Sequence, residues 1–449
     1  MKTLTFIALL LLTLLAGCAP RSGPKSMASN STASTAASGT LSGATSPVRV
    51  SAEGLNAAEP SVAAGRDGAV YVAWVGHGAG KEADVWLTRM EGTSKGIEES
   101  AKHAGAEPAR VNRTPGEATA WRGDAPGVAV SAEGTVYVSW TARAGAGGQA
   151  TTLYVSASRD GGQSFGEAVK VNDDSKPGLH GMHSLAVGED GRVYVAWLDE
   201  RDIAATQDGD AHASMKMPMH GEHNRELFFS YSADGGRTFA TNRRVAVEAC
   251  PCCKTSLAVS RGGRVYVGWR QVLPGDFRHV AVASSVDGGE TFSAPTVVSD
   301  DRWELRGCPV SGPALAAGDD ERLTVLWYTA GDAGTPGLYS SESSDGGRTF
   351  APRRVVSESG VHGTPQLLSD VQGTALAVFE GDGEGGSPGL LEARLDVAGR
   401  GAGGVTANSQ TQFGAGELPA SAILDGRVYA AYISKGGVWL TSVNQTTPH

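Results

Sequence analysis

The sequence predicts an all-β chain that folds as a single β-propeller of four-stranded blades. An aromatic residue closes the same short alternating strand seven times along the chain, at Trp74, Trp140, Trp197, Trp269, Trp327, Phe379 and Tyr432. Neighbouring copies lie 52 to 72 residues apart, which is the kind of spacing that propeller repeats show. Turns such as Asp67-Gly68 and Asp190-Gly191 precede most copies and are typical of tight β-hairpins. Seven copies predict seven blades, with six as the alternative.

The two ends of this repeat region predict how the ring of blades closes. The last repeat, Ser421–Asn444, has room for only three strands, and Pro47–Ser51 is an isolated strand ahead of the first repeat. A strand supplied by the start of the chain would complete the last blade. We therefore expect Pro47–Ser51 to pair with the C-terminal strands, which leaves few exposed sheet edges.

The first 47 residues predict export and lipid attachment. Lys2 precedes an apolar run from Leu4 to Leu15, which is too short to span a bilayer and is typical of a signal peptide. The run ends in Leu-Ala-Gly followed by Cys18, a sequence that resembles the bacterial lipobox. Residues 1–17 are therefore predicted to be removed and Cys18 to carry acyl chains. The alternative is an ordinary secretory signal with an incidental cysteine.

Residues 18–47 are rich in Ser, Thr, Ala and Gly and predict a flexible tether, which leaves residues 48–449 as the propeller. The predicted location is that of a bacterial membrane-anchored lipoprotein facing the periplasm or the cell exterior. The membrane is then one partner, through the lipid anchor.

A second signature, Ser-x-Asp-Gly-Gly-x-Ser/Thr-Phe, recurs in register with the aromatic repeat at Ser158–Phe165, Ser232–Phe239, Ser285–Phe292 and Ser343–Phe350. Its glycines admit positive φ and its acidic side chain accepts backbone amides of the turn. The four acidic residues are Asp160, Asp234, Asp287 and Asp345. The octapeptide matches the Asp box, and the chain from about residue 48 to 443 resembles the sialidase superfamily of BNR-repeat (Asp-box) propellers. This resemblance implies that the boxes are structural and lie on the face away from the active site.

The resemblance also implies a glycan-acting site, but the chain departs from the family at two points. Sialidases have six blades rather than the seven predicted here. The arginine motif expected at the start of the first blade is replaced by Ala58-Glu59-Pro60-Ser61-Val62. The favoured hypothesis is a glycan- or ligand-binding propeller without catalysis. An exo-sialidase-type glycoside hydrolase is the alternative, and no residue is assigned as its nucleophile or acid.

Function is expected on the face opposite the Asp boxes, where the connections between strands two and three and between blades lie. Candidate ligand-binding residues on this face are Asp199, Arg201, Arg270 and Trp303. Other residues there that offer charge or aromatic surface are Arg122, Asp124, Arg278, Asp301, Arg302 and Tyr328.

Four cysteines besides Cys18, namely Cys250, Cys252, Cys253 and Cys308, are placed on the same face when the blades are aligned by their tryptophans. Export to an oxidising compartment favours disulfides. A bond between Cys252 and Cys253 is sterically poor because adjacent residues rarely reach disulfide geometry. Cys308 is therefore expected to pair with Cys252 or Cys253. The alternative is that the thiolates bind a metal.

Histidine and methionine are concentrated in one stretch of the chain. The candidate metal ligands there are His180, His183, His212, Met215, Met217, Met219, His220 and His223. Imidazole and thioether groups together suit copper, so a copper site on this face is a third hypothesis. The other reading is a solvated loop whose methionines pack against the propeller rim.

Composition excludes other classes of partner. The net charge is -10 and no basic segment interleaved with aromatic residues occurs, which argues against nucleic acid. The expected partners are therefore a glycan, another small molecule or a metal ion.

Overall fold

The computed structural model describes residues 44–78, 82–92, 97, 107–119, 121–144, 150–202, 223–307, 309–319, 321–358, 360–369, 375–382, 388–395 and 411–444. Residues 1–43 lie outside this description, so the signal peptide, Cys18 and most of the expected tether stay predictions. Within the described residues the chain is all-β, with antiparallel strands in seven groups of four.

The first three groups are built in chain order. They are β2 (Asn56–Ala64), β3 (Ala69–His77), β4 (Ala83–Glu91) and β5 (Ala109–Arg110); β6 (Gly127–Val130), β7 (Val136–Arg143), β8 (Thr151–Ser158) and β9 (Val169–Lys170); and β10 (His180–Val187), β11 (Val193–Asp199), β12 (Arg225–Ser232) and β13 (Arg243–Ala249). Within each group every strand pairs with the next one along the chain.

The remaining groups follow the same order except at the end of the chain. They are β14 (Ser256–Val259), β15 (Val265–Leu273), β16 (Phe277–Ser285) and β17 (Thr296–Val297); β18 (Ala314–Ala317), β19 (Leu323–Thr329), β20 (Gly337–Ser343) and β21 (Arg354–Ser357); β22 (His362–Ser369), β23 (Ala375–Asp382), β24 (Pro388–Leu395) and β25 (Thr411–Gly414); and β26 (Glu417–Leu424), β27 (Arg427–Ser434), β28 (Gly437–Asn444) and β1 (Val48–Arg49). The third and fourth groups are joined by one pair, Ala249 opposite Gln271.

The innermost strand of each group contacts the innermost strand of the next. The contacts run from β2 through β6, β10, β14, β18 and β22 to β26, and β26 in turn contacts β2. This order of contacts is consistent with a propeller-like fold, in which the sheets stand around a common axis. In such a fold the first strands of the groups are the ones nearest the axis.

The aromatic residue of each repeat lies in the second strand and is buried between sheets. Trp74, Trp140, Trp197, Trp269 and Trp327 are the five largest fully buried side chains. Several of these rings stack on an aromatic side chain of the third strand, for example Trp74 on Trp86 with ring centroids 5.9 Å apart. The sequence repeat therefore marks the core contact between neighbouring sheets.

The expected closing strand forms between the two ends of the propeller region. Val48 lies opposite Leu440 and Arg49 opposite Trp439, so β1 completes the last sheet. Pairing begins earlier than expected, because Ala44 bridges Val443 and the Thr45 amide donates to Ser442 O. The last four residues assigned to the tether thus belong to the folded unit.

The four Asp boxes form matching turns between the third and fourth strands of their sheets. In the second box, Asp234 Oδ1 accepts hydrogen bonds from the backbone amides of Arg237 and Thr238, at 2.9 and 3.0 Å, and from Ser232 Oγ at 2.7 Å. Its Oδ2 accepts one from Thr238 Oγ1. Burial opposes ionisation here, but these donors lower the pKa of Asp234. The carboxylate therefore holds the turn together.

Among the described residues no helix has the length and apolar character needed to cross a membrane.

Replacing Asp234 with Ala should lower the free energy of unfolding by about 2 kcal/mol, because several charge-assisted hydrogen bonds are lost together. The matched control is Asp300→Ala, whose side chain is 79% exposed and which should change stability by less than about 0.5 kcal/mol. Chemical denaturation at pH 7 measures both. Since the pKa of Asp234 is lowered by folding, the difference between wild type and Asp234→Ala should shrink as the pH falls below 4. Equal stability of the two variants at pH 7 would contradict a structural role for the box.

Candidate functional site

Four charged or titratable side chains come together where the innermost strands of four consecutive sheets begin. Glu59 lies in β2, Asp124 just before β6, His183 in β10 and Lys254 just before β14. This group, Glu59, Asp124, His183 and Lys254, is called the inner-strand cluster below. It lies on the face opposite the Asp boxes, because the boxes follow the third strands.

Two β-bulges place members of the inner-strand cluster. The pairing of β2 with β3 shifts register between Ala58 and Ser61, and Glu59 has a φ of 51°. The pairing of β10 with β11 shifts between Gly181 and Ser184, where Met182 also has a φ of 51°. A bulge redirects the side chains beside it and is common next to functional sites. Left-handed backbone at non-glycine residues is strained, so the surrounding structure must hold it.

Asp124 is the centre of the ionic contacts. Its Oδ1 accepts a hydrogen bond from the backbone amide of His183 at 3.2 Å, and lies 3.2 Å from His183 Nδ1 and 3.6 Å from Lys254 Nζ. Burial alone would raise the pKa of Asp124, but His183 and Lys254 outweigh it and lower the pKa to about 2. The carboxyl group is therefore ionised at neutral pH although it is buried.

Glu59 has the opposite protonation behaviour. Burial raises the pKa of Glu59 to about 7, and the backbone amide of Gly123, which donates to Glu59 Oε2 at 3.0 Å, offsets only part of this effect. Burial also lowers the pKa of Lys254, against the attraction of Asp124 and Glu59. Near neutrality the cluster thus contains one carboxyl group that readily holds a proton and one that does not.

The inner-strand cluster keeps unused hydrogen-bonding capacity. Asp124 Oδ2 and both ring nitrogens of His183 are buried without a well-aligned hydrogen bond within the described residues. Buried polar atoms that lack partners are costly and rare in folded proteins. Their presence at the strand ends marks this place as a candidate site rather than as ordinary core.

A more exposed set of side chains is linked to the inner-strand cluster through Gly123, whose amide donates to Glu59. Trp121 is 48% exposed and Val310 is 37% exposed, and both are among the few large apolar side chains that face solvent. Arg122, the residue after Trp121, forms an exposed ion pair in which its Nη2 lies 3.2 Å from Glu417 Oε2. Trp121, Arg122, Val310 and Glu417 are called the rim below. A carbon at Gly123 would lie 3.4 Å from Val310, so the two loops are in contact.

Asp199 and Arg201, two of the predicted ligand-binding residues, bind each other. Arg201 Nη2 donates to Asp199 Oδ2 at 2.7 Å, and Arg201 Nη1 donates to Asp173 Oδ1 at 2.7 Å. Asp199 also accepts the indole proton of Trp197 at 2.7 Å. Their hydrogen-bonding groups are used within the protein, so neither enters the site proposed below.

Arg270 and Trp303, the other two predicted ligand-binding residues, are buried rather than open to a ligand. Arg270 is 1% exposed, and its Nε and Nη2 donate to the carbonyls of Ser311 and Tyr328 at 2.9 Å. Its guanidinium lies over the Trp303 ring, 5.0 Å from the centroid. The structure gives the two residues a packing contact with each other.

The predicted metal ligands are not brought into one described cluster. His180 Nε2 lies 3.2 Å from Asp174 and 3.5 Å from Asp199, whereas His183 contacts Asp124. His223 is exposed. His212, Met215, Met217, Met219 and His220 lie outside the described residues. A copper site therefore stays a prediction, and the two strand histidines support different ionic networks.

The cysteines differ from the expectation of complete disulfide pairing. Cys250 and Cys253 are free thiols with their Sγ atoms 3.3 Å apart. Cys252 is disulfide-bonded, and its Sγ lies 3.9 Å from Cys250 Sγ. Cys308 lies outside the described residues, so the expected bond to Cys308 stays a prediction. Disulfide bonding is therefore not seen at Cys250 and Cys253, because a distance of 3.3 Å between their Sγ atoms is that of two thiols in contact.

Counting back from Trp197 and Trp269 predicts that His180 and Cys252 occupy equivalent positions in their repeats, and the structure shows that they do not. His180 lies opposite Asp199 in the structure, whereas the residue opposite the equivalent Gln271 is Ala249, not Cys252. Residues 251–253 form a turn after β13. Counting residues from a tryptophan fails where such a turn intervenes.

No protein-family model matches the chain, and no curated protein matches it. Among solved structures, it is similar to a Hadza microbial sialidase, Hz136, with a TM-score of 0.46 and 14% identity, over 71% of this chain and 65% of that one. It is similar to the polysaccharide lyase Uly1, with a TM-score of 0.48 and 12% identity, over 86% of this chain and 89% of that one. It is also similar to a Trypanosoma rangeli sialidase, with a TM-score of 0.43 and 12% identity, over 78% of this chain and 58% of that one.

The raised pKa of Glu59 predicts a pH dependence of stability. The pKa lies near 4.5 in the unfolded chain and near 7 in the folded one. The protonated form therefore stabilises the fold below about pH 4.5, and this contribution is lost as the pH rises through 7. Glu59→Gln should gain roughly 2–3 kcal/mol relative to wild type between pH 4.5 and pH 8.

Chemical denaturation across this pH range measures the difference. The control is Glu53→Gln, which removes an exposed carboxyl group nearby in the chain and should follow wild type throughout. A Glu59→Gln curve parallel to wild type would mean that Glu59 is ionised in the folded protein.

Proposed function

We propose that the protein is a lipid-anchored, extracytoplasmic propeller of seven closed blades that binds a glycan at the rim. An acidic sugar is the ligand class that fits the residues there. The single observation that carries the proposal is the exposed indole of Trp121 in the same loop as Asp124, a member of a buried and incompletely hydrogen-bonded charge cluster. Ligand sites typically combine an apolar or aromatic surface with a few placed polar groups.

Trp121 supplies the apolar surface. An indole exposed on a loop offers a flat face on which the C–H face of a sugar ring packs, and its N–H remains available as a donor. Val310, on the facing loop, extends this apolar surface. Aromatic anchors of this kind dominate binding energy in many interfaces.

Two cations supply the preference for an acidic ligand. Arg122 and Glu417 are respectively 66% and 49% exposed in their ion pair, and such surface pairs contribute little stability. A ligand carboxylate would therefore replace Glu417 on Arg122 at small cost, with the bidentate geometry that guanidinium favours. Lys254 is the second cation; its side chain is 22% exposed and its Nζ lies 3.6 Å from Asp124 Oδ1.

A glycoside hydrolase is the second candidate function, and one observation favours it. Glu59 and Asp124 belong to the same cluster, yet the pKa of Glu59 is raised to about 7 and that of Asp124 is lowered to about 2. A protonated and an ionised carboxyl group in one site are what acid-assisted glycoside cleavage requires. In that reaction Glu59 would be the proton donor.

Attachment to a membrane through Cys18 is part of the same proposal. Its support is the sequence Leu15-Ala16-Gly17-Cys18 followed by a segment poor in large apolar residues. A glycan-binding propeller held on such a tether would sample the surface around its anchor.

Trp121→Ala should weaken binding of an acidic oligosaccharide at least tenfold, about 1.4 kcal/mol, because the stacking surface is removed. Isothermal titration of the full chain with 3′-sialyllactose, a hyaluronan tetrasaccharide and lactose measures this effect. Trp121→Phe should retain most of the affinity. Val286→Ala, which removes a 71% exposed apolar side chain within an Asp box, should retain all of it.

Binding of none of the three sugars, or equal binding by Trp121→Ala and wild type, would contradict the proposed site. The same sugars also separate the two functions. Release of new reducing ends by wild type but not by Glu59→Gln would establish the hydrolase instead of the binding protein.

A further inference from the structure

A second group of reactive side chains lies near the inner-strand cluster and is not used by the proposed function. Cys250 and Cys253 are each 1% exposed and pack with Val272 in a small buried cluster. They have Cys-x-x-Cys spacing, and Cys253 Sγ donates a hydrogen bond to Cys250 Sγ at 3.3 Å. A disulfide has a sulfur separation of about 2.05 Å, so the two sulfur atoms are close to bonding distance but not bonded.

Two buried arginines lie next to these thiols without a carboxylate partner among the described residues. Arg270 is 1% exposed and Arg278 is 7% exposed. Their described hydrogen bonds go to backbone carbonyls, and the Nη1 atom of each is buried with no acceptor. The carbonyl of Arg270 accepts the Cys250 amide at 2.8 Å, and Arg278 lies opposite Val272. Buried cations without a counter-ion are costly, and an anionic sulfur beside them reduces that cost.

The two thiols are chemically unequal. The hydrogen bond from Cys253 lowers the pKa of Cys250 to about 7 against the effect of burial, and Arg278 and Arg270 add to the lowering. Burial raises the pKa of Cys253, and the neighbouring Cys250 sulfur adds to the increase. One member of the pair is thus available as a thiolate near neutrality while the other remains protonated. A low-pKa attacking thiol and a resolving thiol are the two parts that thiol–disulfide exchange needs.

The third cysteine of the segment supplies the disulfide. Cys252 is disulfide-bonded and only partly buried, and its Sγ lies 3.9 Å from Cys250 Sγ. The three sulfur atoms all lie within 4.8 Å of one another. An attacking thiolate, a resolving thiol and a disulfide sulfur are therefore in contact inside one turn of the chain.

We propose that Cys250 and Cys253 form a redox-active dithiol whose substrate is the disulfide at Cys252. The Cys250 thiolate attacks Cys252 Sγ, which forms a Cys250–Cys252 bond and releases the previous partner of Cys252 as a thiolate. Cys253 then gives up its proton and attacks Cys250 Sγ, which forms the Cys250–Cys253 disulfide and releases Cys252 as a thiolate. Two electrons pass from the dithiol to the Cys252 disulfide, and the proton from Cys253 passes to a released thiolate.

Disulfide mapping of the full chain tests this exchange. The protein is equilibrated in glutathione buffers of increasing oxidised fraction, quenched with acid, alkylated and digested with trypsin. Residues 245–254 form one tryptic peptide that contains all three cysteines. In wild type we expect a form of this peptide in which Cys252 is alkylated while Cys250 and Cys253 are bonded to each other.

Two serine variants separate the steps. Cys253→Ser should stop the exchange after the first step and accumulate the Cys250–Cys252 bond. Cys250→Ser should leave Cys252 protected and Cys253 open to alkylation in every buffer. Absence of the Cys250–Cys253 bond from wild type in all buffers, or the same redistribution in Cys250→Ser, would overturn the proposal.

An arginine variant tests the thiolate independently of the bond pattern. Arg278→Gln should slow alkylation of Cys250 at pH 7 by about threefold to tenfold, because the thiolate fraction falls. Arg261→Gln, which changes an arginine that is 68% exposed, should leave the rate unchanged. An unchanged rate in Arg278→Gln would contradict the role of the buried cation.

Discussion

The pairing of the first described strand with the last one is the constraint on which the rest of the structure depends. Val48 and Arg49 pair with Leu440 and Trp439, and the Val50 amide donates to Val438 O at 2.9 Å. This contact joins residues almost 400 positions apart, so it closes a very long loop and carries a large entropic cost. Sheet pairing and burial must offset that cost. The innermost strands contact one another in sequence, and side chains from four groups of strands meet where these strands begin.

Much of the fold was predictable because it depends on local patterns. The aromatic residue recurs in every stretch of about 50 to 70 residues, the glycine turn precedes most copies and the Asp box occurs four times. Each of these patterns has a local physical cause. Trp269 is buried for the same reason as Trp74, since both close a second strand. Even the closing strand was predictable, because the last repeat lacked one strand and the first residues offered one.

The candidate site was much less predictable because it depends on contacts between distant segments. Glu59 stood where an arginine was expected, which was the one available signal. Its raised pKa arises from burial, which outweighs the lowering effect of the Gly123 amide. No sequence pattern predicts the β-bulges at Glu59 and Met182. The sequence suggested that Arg201 and Arg270 were available to a ligand. In the structure Arg201 donates to the Asp173 carboxylate and Arg270 donates to the Ser311 carbonyl, and both partners lie in other segments. Trp121 had no periodic pattern to distinguish it from other tryptophans.

Hydrogen–deuterium exchange of the intact chain tests closure of the ring most directly. The amides of Thr45, Val50 and Ser51 donate to backbone carbonyls of β28, so closure predicts that they exchange as slowly as the interior amides of β26 and β27. Locally open strands exchange with little protection, whereas cooperative core strands approach the global stability. Slow exchange at both ends of the chain would support a closed ring. Rapid exchange at residues 45–51 with full protection in the other sheets would contradict it.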